Sequence, residues 1–166
     1  MSIKIIAAVS TEYGLGFNND LLFRISEDMK RFKELTTGHF CVMGRKTFQS
    51  LPKPLSDRTN VVLSRNGEFP HPSEVFVMDS VEHIINHYNS GEQDKDIWVI
   101  GGAEIYNQFL PYADEVHLTH IDKEVEKVDT FFPYELLKQH FDFVESEKHY
   151  SSEEECSYSY VTYHKK

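Results

Sequence analysis

A strand–glycine–helix–strand unit in the second half of the chain constrains the fold more than any other feature. Residues 97–100 form an unbroken apolar run, which is typical of a strand buried on both faces of a sheet. The run ends at Gly101-Gly102, and the apolar spacing of residues 103–110 predicts a helix that a proline stops. Residues 116–121 return as a β-rich run. The unit therefore predicts a buried strand that leads into a helix through two glycines.

The glycine pair leaves backbone amides open to another molecule. Because Gly101 and Gly102 lack side chains, a ligand can come close to N–H groups at the positive end of the helix, where phosphate binds favourably. A tight strand-to-helix turn with nothing bound has the same sequence. From these residues alone, both interpretations stay open.

Length and composition limit the classes of protein to which the chain can belong. Its 166 residues are most simply one domain, residues 1–166, large enough to bury a core without disulfide staples. The two cysteines, Cys41 and Cys156, are too few for a disulfide framework and predict reduced thiols in a cytoplasmic protein. No apolar run reaches membrane-spanning length, and residues 3–9 are too short an apolar run for a signal peptide.

The charge distribution favours a small anionic ligand over nucleic acid. A net charge of -10 argues against general nucleic-acid binding. Between residues 44 and 65 the sign is reversed, because five basic residues accompany a single acid, Asp57. The five are Arg45, Lys46, Lys53, Arg58 and Arg65. This reversal predicts a pocket for a polyanionic small molecule, with a solvated basic face as the alternative.

Strand-like runs alternate with short helical patterns along most of the chain. The other strands are predicted at residues 3–9, 39–43, 59–64 and 75–78, and the other helices at residues 26–35, 80–89 and just before residue 51. This alternation predicts parallel pairing in an α/β sheet. Residues 141–150 and 157–166 predict an antiparallel hairpin at the edge of the sheet. Residues 11–19 and 123–130 have the composition of loops.

One acidic residue lies on the apolar face of the helix predicted at residues 26–35. Ser26 is its predicted N-cap. The apolar stripe at helical spacing consists of Ile25, Met29, Phe32 and Leu35. Asp28 lies within this stripe, where a carboxylate is costly to bury without a partner. A functional role for Asp28 and a place at the edge of the stripe, serving only the helix dipole, both stay open.

Two motifs resemble nucleotide or metal sites but lack a required part. Residues 44–47, Gly-Arg-Lys-Thr, differ from the end of a Walker A loop because Arg45 separates the glycine from the lysine. They form instead a second strand-to-helix junction with amide donors and two cations. His83 and His87 have the helical spacing of paired metal ligands, but no third ligand is near them in sequence, so we predict no metal site.

Taken together, these segments resemble dihydrofolate reductase through essentially the whole chain. The matching segments in the first half are Ile6-Ala7-Ala8, Gly14-Leu15-Gly16, Asp28 with Phe32-Lys33, residues 42–47, Pro54-Leu55 with Arg58, and Leu63-Ser64-Arg65. Those in the second half are residues 99–103 with Ile105-Tyr106, residues 118–122, and Asp129 with Phe132-Pro133. Their common order and spacing make the resemblance specific.

The resemblance implies a single α/β domain with a mainly parallel, eight-stranded central sheet, flanking short helices and an antiparallel last strand. It also implies hydride transfer from NADPH to the pterin ring of 7,8-dihydrofolate, with a proton delivered to the adjacent nitrogen, to give 5,6,7,8-tetrahydrofolate. Such an enzyme supports one-carbon metabolism and the synthesis of thymidylate and purines. We expect a monomer that binds dihydrofolate and antifolates such as trimethoprim or methotrexate, without nucleic acid, membrane or metal.

The resemblance also assigns the substrate site. Asp28 is expected to accept hydrogen bonds from the pterin amino group and ring N–H with support from Thr119, and this partner would satisfy the buried acid. Arg58 is expected to bind the glutamate carboxylate as a fork. The implied substrate-binding residues are Ile6, Ala7, Asp28, Met29, Phe32, Lys33, Leu55, Arg58, Ile100 and Thr119. The implied catalytic residues are Asp28, Leu21, Phe23 and Thr119.

The implied NADPH site accounts for the local excess of basic residues. Arg45 and Arg65 are expected to contact the adenosine 2′-phosphate, and the Gly101–Gly102 peptide is expected to be cis. The glycine-containing loop at residues 14–20 is expected to close over the nicotinamide and exclude water. The implied cofactor-binding residues are Ala8, Leu15, Gly16, Asn19, Leu21, Gly44, Arg45, Lys46, Thr47, Leu63, Ser64, Arg65, Ile100, Gly101, Gly102, Ala103, Glu104, Ile105 and Tyr106.

Several positions depart from the family pattern. Leu22 and Phe23 replace a usual proline and tryptophan, and the tryptophan N–H helps to hold a water near the pterin. Ala103 replaces a third glycine, and Glu104 places an acid near the cofactor phosphates. Lys127-Val128 stands where a glycine is common, with one extra residue. None of these departures removes a catalytic group.

Two other functions are compatible with parts of the pattern. A related pyrimidine reductase of riboflavin biosynthesis would share the strand order and the NADPH site. A nucleotide-binding module without catalysis would share only the site. Asp28 on an apolar helix face with Arg58 downstream favours a folate over the first alternative, and the second leaves the pairing of Asp28 with Thr119 unexplained.

Overall fold

The computed structural model describes residues 2–65, 69–89 and 94–166. Its strands are β1 (Ile3–Val9), β2 (Gly14–Phe17), β3 (Asp20–Leu21), β4 (Phe40–Gly44), β5 (Thr59–Leu63), β6 (Phe76–Met78), β7 (Ile97–Gly101), β8 (Glu115–Ile121), β9 (Thr130–Phe131), β10 (Phe141–Ser151) and β11 (Cys156–Lys165). Its helices are α1 (Ser26–Thr36), α2 (Arg45–Ser50), α3 (Val81–Asn89), α4 (Ala103–Phe109) and α5 (Tyr134–His140), with a 3₁₀ turn at Leu110–Tyr112.

Eight strands form one sheet in the order β10-β11-β8-β1-β7-β4-β5-β6. All neighbours pair in parallel except β11, which runs antiparallel to both β8 and β10. The central strands β1, β4 and β7 are apolar along nearly their whole length because other elements cover both of their faces. The predicted α/β class, parallel centre and antiparallel C-terminal hairpin are confirmed.

A second, small sheet corrects the loop predicted at residues 11–19. Strands β2, β3 and β9 pair in the order β3-β2-β9. Close packing requires the glycines of β2: a Cβ at Gly16 would lie 2.7 Å from the Asp20 carbonyl oxygen. Asp129 accepts a hydrogen bond from the Asn18 amide at 2.9 Å, which fastens the tip of this hairpin to the segment before β9. Strands of two to four residues are too short to show a period of two.

The start of α1 corrects the prediction that Ser26 is an N-cap. The cap position belongs to Ile25, and Ser26 is the first helical residue. Glu153, in the turn between β10 and β11, accepts hydrogen bonds from the Ser26 amide at 2.9 Å and from its hydroxyl at 2.7 Å. A carboxylate from a distant turn therefore satisfies the helix start, and local sequence cannot show such a partner.

Two further differences concern helix ends and a missing helix. The helix predicted at residues 103–110 ends as α4 at Phe109 and continues as a 3₁₀ turn that contains Pro111. Helix α5 lies in a region that the sequence analysis left unassigned, and it buries only Leu137 completely. A seven-residue helix with so narrow a buried face gives a weak periodic signal.

The described residues contain no helix long and apolar enough to cross a membrane. Within the same ranges, no group of three or more histidine, cysteine or acidic residues could hold a metal ion. His83 lies 3.2 Å from Asp79 through its Nδ1 atom.

Candidate active site

The carboxyl ends of the central strands bring together the segments singled out in the sequence. Strand register aligns Met43 at the end of β4 with Gly101 at the end of β7. Gly44 aligns in turn with Leu63 at the end of β5. On the other side of β7, strand β1 pairs with β8, and Ala8 lies opposite Thr119. Ligands of open α/β sheets bind in the crevice beyond such strand ends.

The closest polar contact of this crevice joins α1 to the sheet. The Thr119 hydroxyl donates a hydrogen bond to the Asp28 carboxylate, with 2.5 Å between Oγ1 and Oδ1. Thr119 is only 2% exposed and Asp28 is partly buried. Among the residues that the structure describes, Thr119 is the hydrogen-bond partner of one carboxylate oxygen, and the other acceptor sites are available to a ligand. The contact expected between Asp28 and Thr119 is present.

Burial determines the electrostatics of Asp28. Burial raises the pKa of its carboxyl above the ordinary value, while the Thr119 hydrogen bond and the positive charge of Arg31 act in the opposite direction. A carboxyl held in this way gains strongly from a ligand that donates hydrogen bonds to its charged form. The pKa of Asp28 is therefore raised, as expected for a carboxyl group on an apolar helix face.

Part of the apolar face of α1 lies along an open crevice and is not packed into the core. Met29 is 51% exposed, and Phe32 is only partly buried. Across the crevice, Leu55 and Ile100 are partly buried against one apolar cluster. Apolar side chains left open in this way around a single carboxylate suit a flat aromatic ligand with polar edges.

Arg58 is held at the outer end of the same crevice. Its Nε donates to the Ser56 carbonyl at 2.8 Å, and Nη1 donates to the Thr36 hydroxyl at 3.2 Å. Its guanidinium carbon lies 5.9 Å from the centroid of the Phe32 ring. Nη2 forms no described hydrogen bond within residues 2–65, 69–89 and 94–166. The side chain is thus oriented in advance beside an aromatic wall.

Asn60 is a positioning residue that the sequence analysis missed. It is 3% exposed, accepts a hydrogen bond from the Leu55 amide at 3.0 Å and donates to the Leu55 carbonyl at 3.0 Å. It also donates to the Arg58 carbonyl at 3.3 Å. A polar residue inside the apolar run of β5 is the signal that could have revealed it, because a buried amide must find partners.

The glycine pair has the geometry expected of it. The Gly101–Gly102 peptide is cis, and Gly101 has φ of +130°. A Cβ at Gly101 would lie 3.3 Å from the Tyr106 hydroxyl, whereas one at Gly102 would meet nothing closer than Thr47 Oγ1 at 3.8 Å. Gly102 therefore faces open space beside Thr47. Tyr106 donates a hydrogen bond to the Ile6 carbonyl at 2.8 Å, which ties α4 to β1.

Two of the predicted cations follow the ends of β4 and β5, the two strands that come after β7 in the order of the sheet. The Arg45 guanidinium lies 5.3 Å from the centroid of the Phe69 ring, and its buried Nε has no hydrogen-bond partner within residues 2–65, 69–89 and 94–166. Arg65 is exposed and pairs with Glu104 at 3.1 Å. Glu104, which departs from the family pattern, therefore forms an ion pair with Arg65, the cation expected to bind phosphate.

The other predicted site residues are divided between the small sheet, the protein surface and the strand ends. Gly16 and Leu15 are in β2, and Leu21, which is 59% exposed, is in β3 of the small sheet. Asn19 and Lys33 are exposed. Ile6 lies in the middle of β1, and the remaining predicted residues lie toward the carboxyl ends of strands, directly after them or in the first turns of the helices that follow, namely Ala7, Ala8, Gly44, Lys46, Leu63, Ser64, Ala103 and Ile105.

Phe23 lies below the crevice, against the apolar cluster of Ile25, Ile121 and Tyr158. Its ring replaces the tryptophan of the family pattern and offers no N–H. Packing is thus retained at this position while a hydrogen-bond donor is lost.

Comparisons with known proteins agree with this geometry. A family model described as dihydrofolate reductase matches residues 2–165. Dihydrofolate reductase of Haemophilus influenzae is 38% identical over 133 residues, which cover 80% of this chain and 79% of that protein. The enzyme of Bacillus subtilis is 34% identical over 167 residues, covering 99% of this chain and 95% of that one.

A solved structure gives the same result in three dimensions. Dihydrofolate reductase from Enterococcus faecalis, complexed with NADP(H) and RAB-propyl, matches with a TM-score of 0.88 and 29% identity. The match covers 99% of this chain and 96% of the other. Because the family model and the relatives span most of the chain, the chain belongs to the dihydrofolate reductase family.

Proposed function

We propose that this protein reduces 7,8-dihydrofolate to 5,6,7,8-tetrahydrofolate with NADPH. The observation that carries the proposal is the carboxylate of Asp28, held by Thr119 on an open apolar helix face. Membership of the dihydrofolate reductase family supports the same reaction. In the cell, tetrahydrofolate would feed one-carbon transfer and hence thymidylate and purine synthesis, within one domain that spans residues 1–166.

Asp28 would orient the substrate and stabilise its charge. Its free acceptor sites would receive hydrogen bonds from the pterin amino group and ring N–H, an arrangement in which a carboxylate binds more strongly than a neutral acceptor. Phe32 and Leu55 would pack on the two sides of the rings. Arg58 would bind the glutamate carboxylate through its guanidinium, whose Nη2 forms no hydrogen bond within the described residues. The reaction saturates one C=N bond, so the carbon takes a hydride and the nitrogen takes a proton from solvent.

The strand ends beside α2 and α4 fit an NADPH molecule. Two observations favour anion binding here: the buried Nε of the partly buried Arg45 has no hydrogen-bond partner among the described residues, and the space at Gly102 is open. Arg45 and Arg65 would hold the 2′-phosphate, and Thr47 with the Gly102 backbone would face the pyrophosphate. When bound, NADPH supplies the hydride. Tyr106 would support the floor of the nicotinamide site through its bond to β1.

Exclusion of water would come from the small sheet. The hairpin of β2 and β3 carries Leu15 and Leu21, and Leu21 is exposed where a closing hairpin would place it over the ring. Because Phe23 lacks the N–H of the usual tryptophan, the water that supplies the proton would be held with one donor fewer.

The proposal is tested by NADPH oxidation on addition of dihydrofolate. We expect absorbance loss at the nicotinamide band only when both compounds are present, and inhibition by trimethoprim or methotrexate. Oxidation driven by a pyrimidine intermediate of riboflavin synthesis would favour the related reductase. Tight NADPH binding without turnover would favour a nucleotide-binding module.

Cofactor choice gives a first prediction. Two cations at one phosphate contribute roughly 1.5–3 kcal/mol each before screening, so NADPH should be preferred over NADH by one or more orders of magnitude, most strongly at low salt. Replacing Arg45 and Arg65 together by alanine should remove most of this preference. The measurement is kcat/KM for both cofactors at two salt concentrations.

The control is Lys53→Ala, which removes a cation outside the proposed phosphate site and should leave the cofactor preference unchanged. A double variant that still selects NADPH as strongly as wild type would show that the phosphate binds elsewhere.

Glu104 gives a second prediction. It pairs with Arg65 at 3.1 Å, and both side chains are more than half exposed. Glu104→Gln should free Arg65 for the phosphate, and because an exposed ion pair contributes about 0.2–1 kcal/mol, NADPH affinity should rise by at most about fivefold. Direct titration with NADPH and NADH measures the effect. An equal gain for NADH, or a gain that persists in Arg65→Ala, would contradict this explanation.

A further inference from the structure

An arginine lies beside Asp28 and is held by an aromatic ring. Arg31 follows Asp28 by three positions in α1, so the two side chains lie on the same side of the helix. The guanidinium carbon of Arg31 lies 3.9 Å from the centroid of the Tyr160 ring. This is a close cation–aromatic contact, and it fixes a side chain that otherwise has many rotamers.

Strand register explains why Tyr160 is at this place. Tyr160 of β11 lies opposite Thr119 of β8, so their side chains share one face of the sheet, and Thr119 donates its hydroxyl to Asp28. The ring of His149 in β10 lies 4.9 Å from the Tyr160 ring, and that of Tyr158 lies 5.5 Å from it. The arginine therefore rests on a ring that neighbouring aromatic groups support.

Two titratable groups in this neighbourhood, His117 and Tyr160, have pKa values shifted toward their uncharged forms. His117, two positions before Thr119, has its pKa lowered mainly by burial, with the Arg31 and Lys4 charges adding to the effect against the opposing influence of Glu115. Burial raises the pKa of Tyr160, so its phenol stays neutral. Arg31 is the cation whose charge acts on the Asp28 carboxyl.

Because Arg31 acts on Asp28 without a direct bidentate pair, the carboxylate keeps its acceptor sites. An arginine paired directly with a carboxylate occupies both oxygens in a bidentate bond. Arg31 instead rests on Tyr160, while Thr119 occupies one oxygen of Asp28. The carboxylate thus receives a compensating charge inside an apolar stripe and keeps acceptor sites free for a ligand.

We propose that Arg31, seated on the ring of Tyr160, is a positioning residue that stabilises the Asp28 carboxylate in the free enzyme and leaves it open to the substrate. Its value to turnover rests on the proposed function of Asp28. The arrangement itself concerns the free protein, so it can be tested without any reaction.

The test follows the titration of the Asp28 carboxyl carbon by NMR in the free protein, with Asp28→Asn used to assign its resonance. Arg31→Met should move the titration midpoint upward, because the carboxylate loses its compensating charge. Arg31→Lys should restore most of the difference. Tyr160→Phe keeps the ring and should titrate close to wild type, whereas Tyr160→Leu should move the midpoint upward.

The matched control is Lys30→Met, which removes one positive charge from an exposed position of the same helix. The proposal is overturned if Arg31→Met shifts the midpoint no further than Lys30→Met does. It is also overturned if Tyr160→Phe shifts it as far as Tyr160→Leu. Arg31→Met nearly conserves volume, so the first of these comparisons does not depend on whether the leucine variant folds. If the wild-type protein did not reduce dihydrofolate, the proposed function would fail, but the titration result for Arg31 would still hold.

Discussion

Asp28→Asn should fold at least as stably as wild type and yet reduce dihydrofolate at neutral pH roughly 100-fold more slowly or worse, as for other positioned acid–base groups. The amide keeps the shape of the carboxyl but cannot stabilise the charge of a protonated pterin, and it places an N–H where two acceptors are needed. Activity should recover partly as pH falls, because substrate protonated in solution no longer needs the carboxylate. A pH–rate profile of both proteins measures the effect.

Stability should change in the opposite sense. Because burial raises the pKa of Asp28, the folded state holds the carboxyl proton more tightly than the unfolded chain does. The stability of the wild type should therefore fall as the pH rises from 3.8, the ordinary pKa of an aspartate, through the raised pKa of Asp28 in the folded protein. Asp28→Asn removes this loss, so its melting temperature should exceed that of wild type at neutral pH and converge with it in acid. NADPH affinity should hardly change.

Wild-type turnover by the asparagine variant at neutral pH would remove Asp28 from the mechanism. Loss of NADPH binding together with turnover would indicate misfolding instead, and the melting curves distinguish the two cases.

Gly102→Ala should weaken NADPH binding by about 100-fold or more in affinity while leaving the fold intact. The backbone at Gly102 has φ of -87°, which an alanine adopts without strain, and the new Cβ would lie 3.8 Å from Thr47 Oγ1. The methyl group would instead fill the space through which a pyrophosphate must approach the backbone. Fluorescence titration with NADPH and a melting curve measure the two effects.

Gly101→Ala is the matched comparison. At φ of +130° and with a Cβ 3.3 Å from the Tyr106 hydroxyl, this substitution should cost about 1–3 kcal/mol of folding stability. The neighbouring glycines should therefore separate binding from stability. A Gly102→Ala protein that binds NADPH with wild-type affinity would show that the glycine pair is only a turn.

The elements that the sequence predicts well are those whose burial leaves a continuous or periodic pattern. Residues 97–100 are apolar, and residues 3–9 are apolar except for Lys4, because other elements cover both faces of these strands, and β1 and β7 lie where the pattern indicates. The hairpin at the C-terminus likewise reads from two long β-rich runs, although pairing extends to Ser151 and Cys156 and shortens the turn.

The features missed depend on partners far away in the chain. Ser26 has the composition of an N-cap, but Glu153 supplies the capping carboxylate from 127 positions away. The small sheet forms because Gly14 and Gly16 let residues 130–131 approach, which no local period records. The seat of Arg31 depends on strand register, because only the pairing of β11 with β8 brings Tyr160 beside Thr119.

The site combines both kinds of information. A carboxylate on an apolar stripe marks Asp28 as unusual from sequence alone, and the structure adds its hydrogen bond to Thr119 at 2.5 Å, which the stripe itself does not show. Asn60 shows the reverse case, because its three hydrogen bonds to the loop of Leu55 and Arg58 explain a polar residue that the strand pattern leaves unremarked.

The most direct test of the proposed reaction is isotopic. The protein is incubated with 7,8-dihydrofolate and NADPH that carries deuterium at the transferable position, and the folate product is analysed by mass spectrometry. We predict tetrahydrofolate with one deuterium on the pterin ring, formed rapidly by wild type and far more slowly by Asp28→Asn. NADPH oxidation without deuterium in the folate, or NADPH binding with no reduced folate at all, would contradict the proposed reaction.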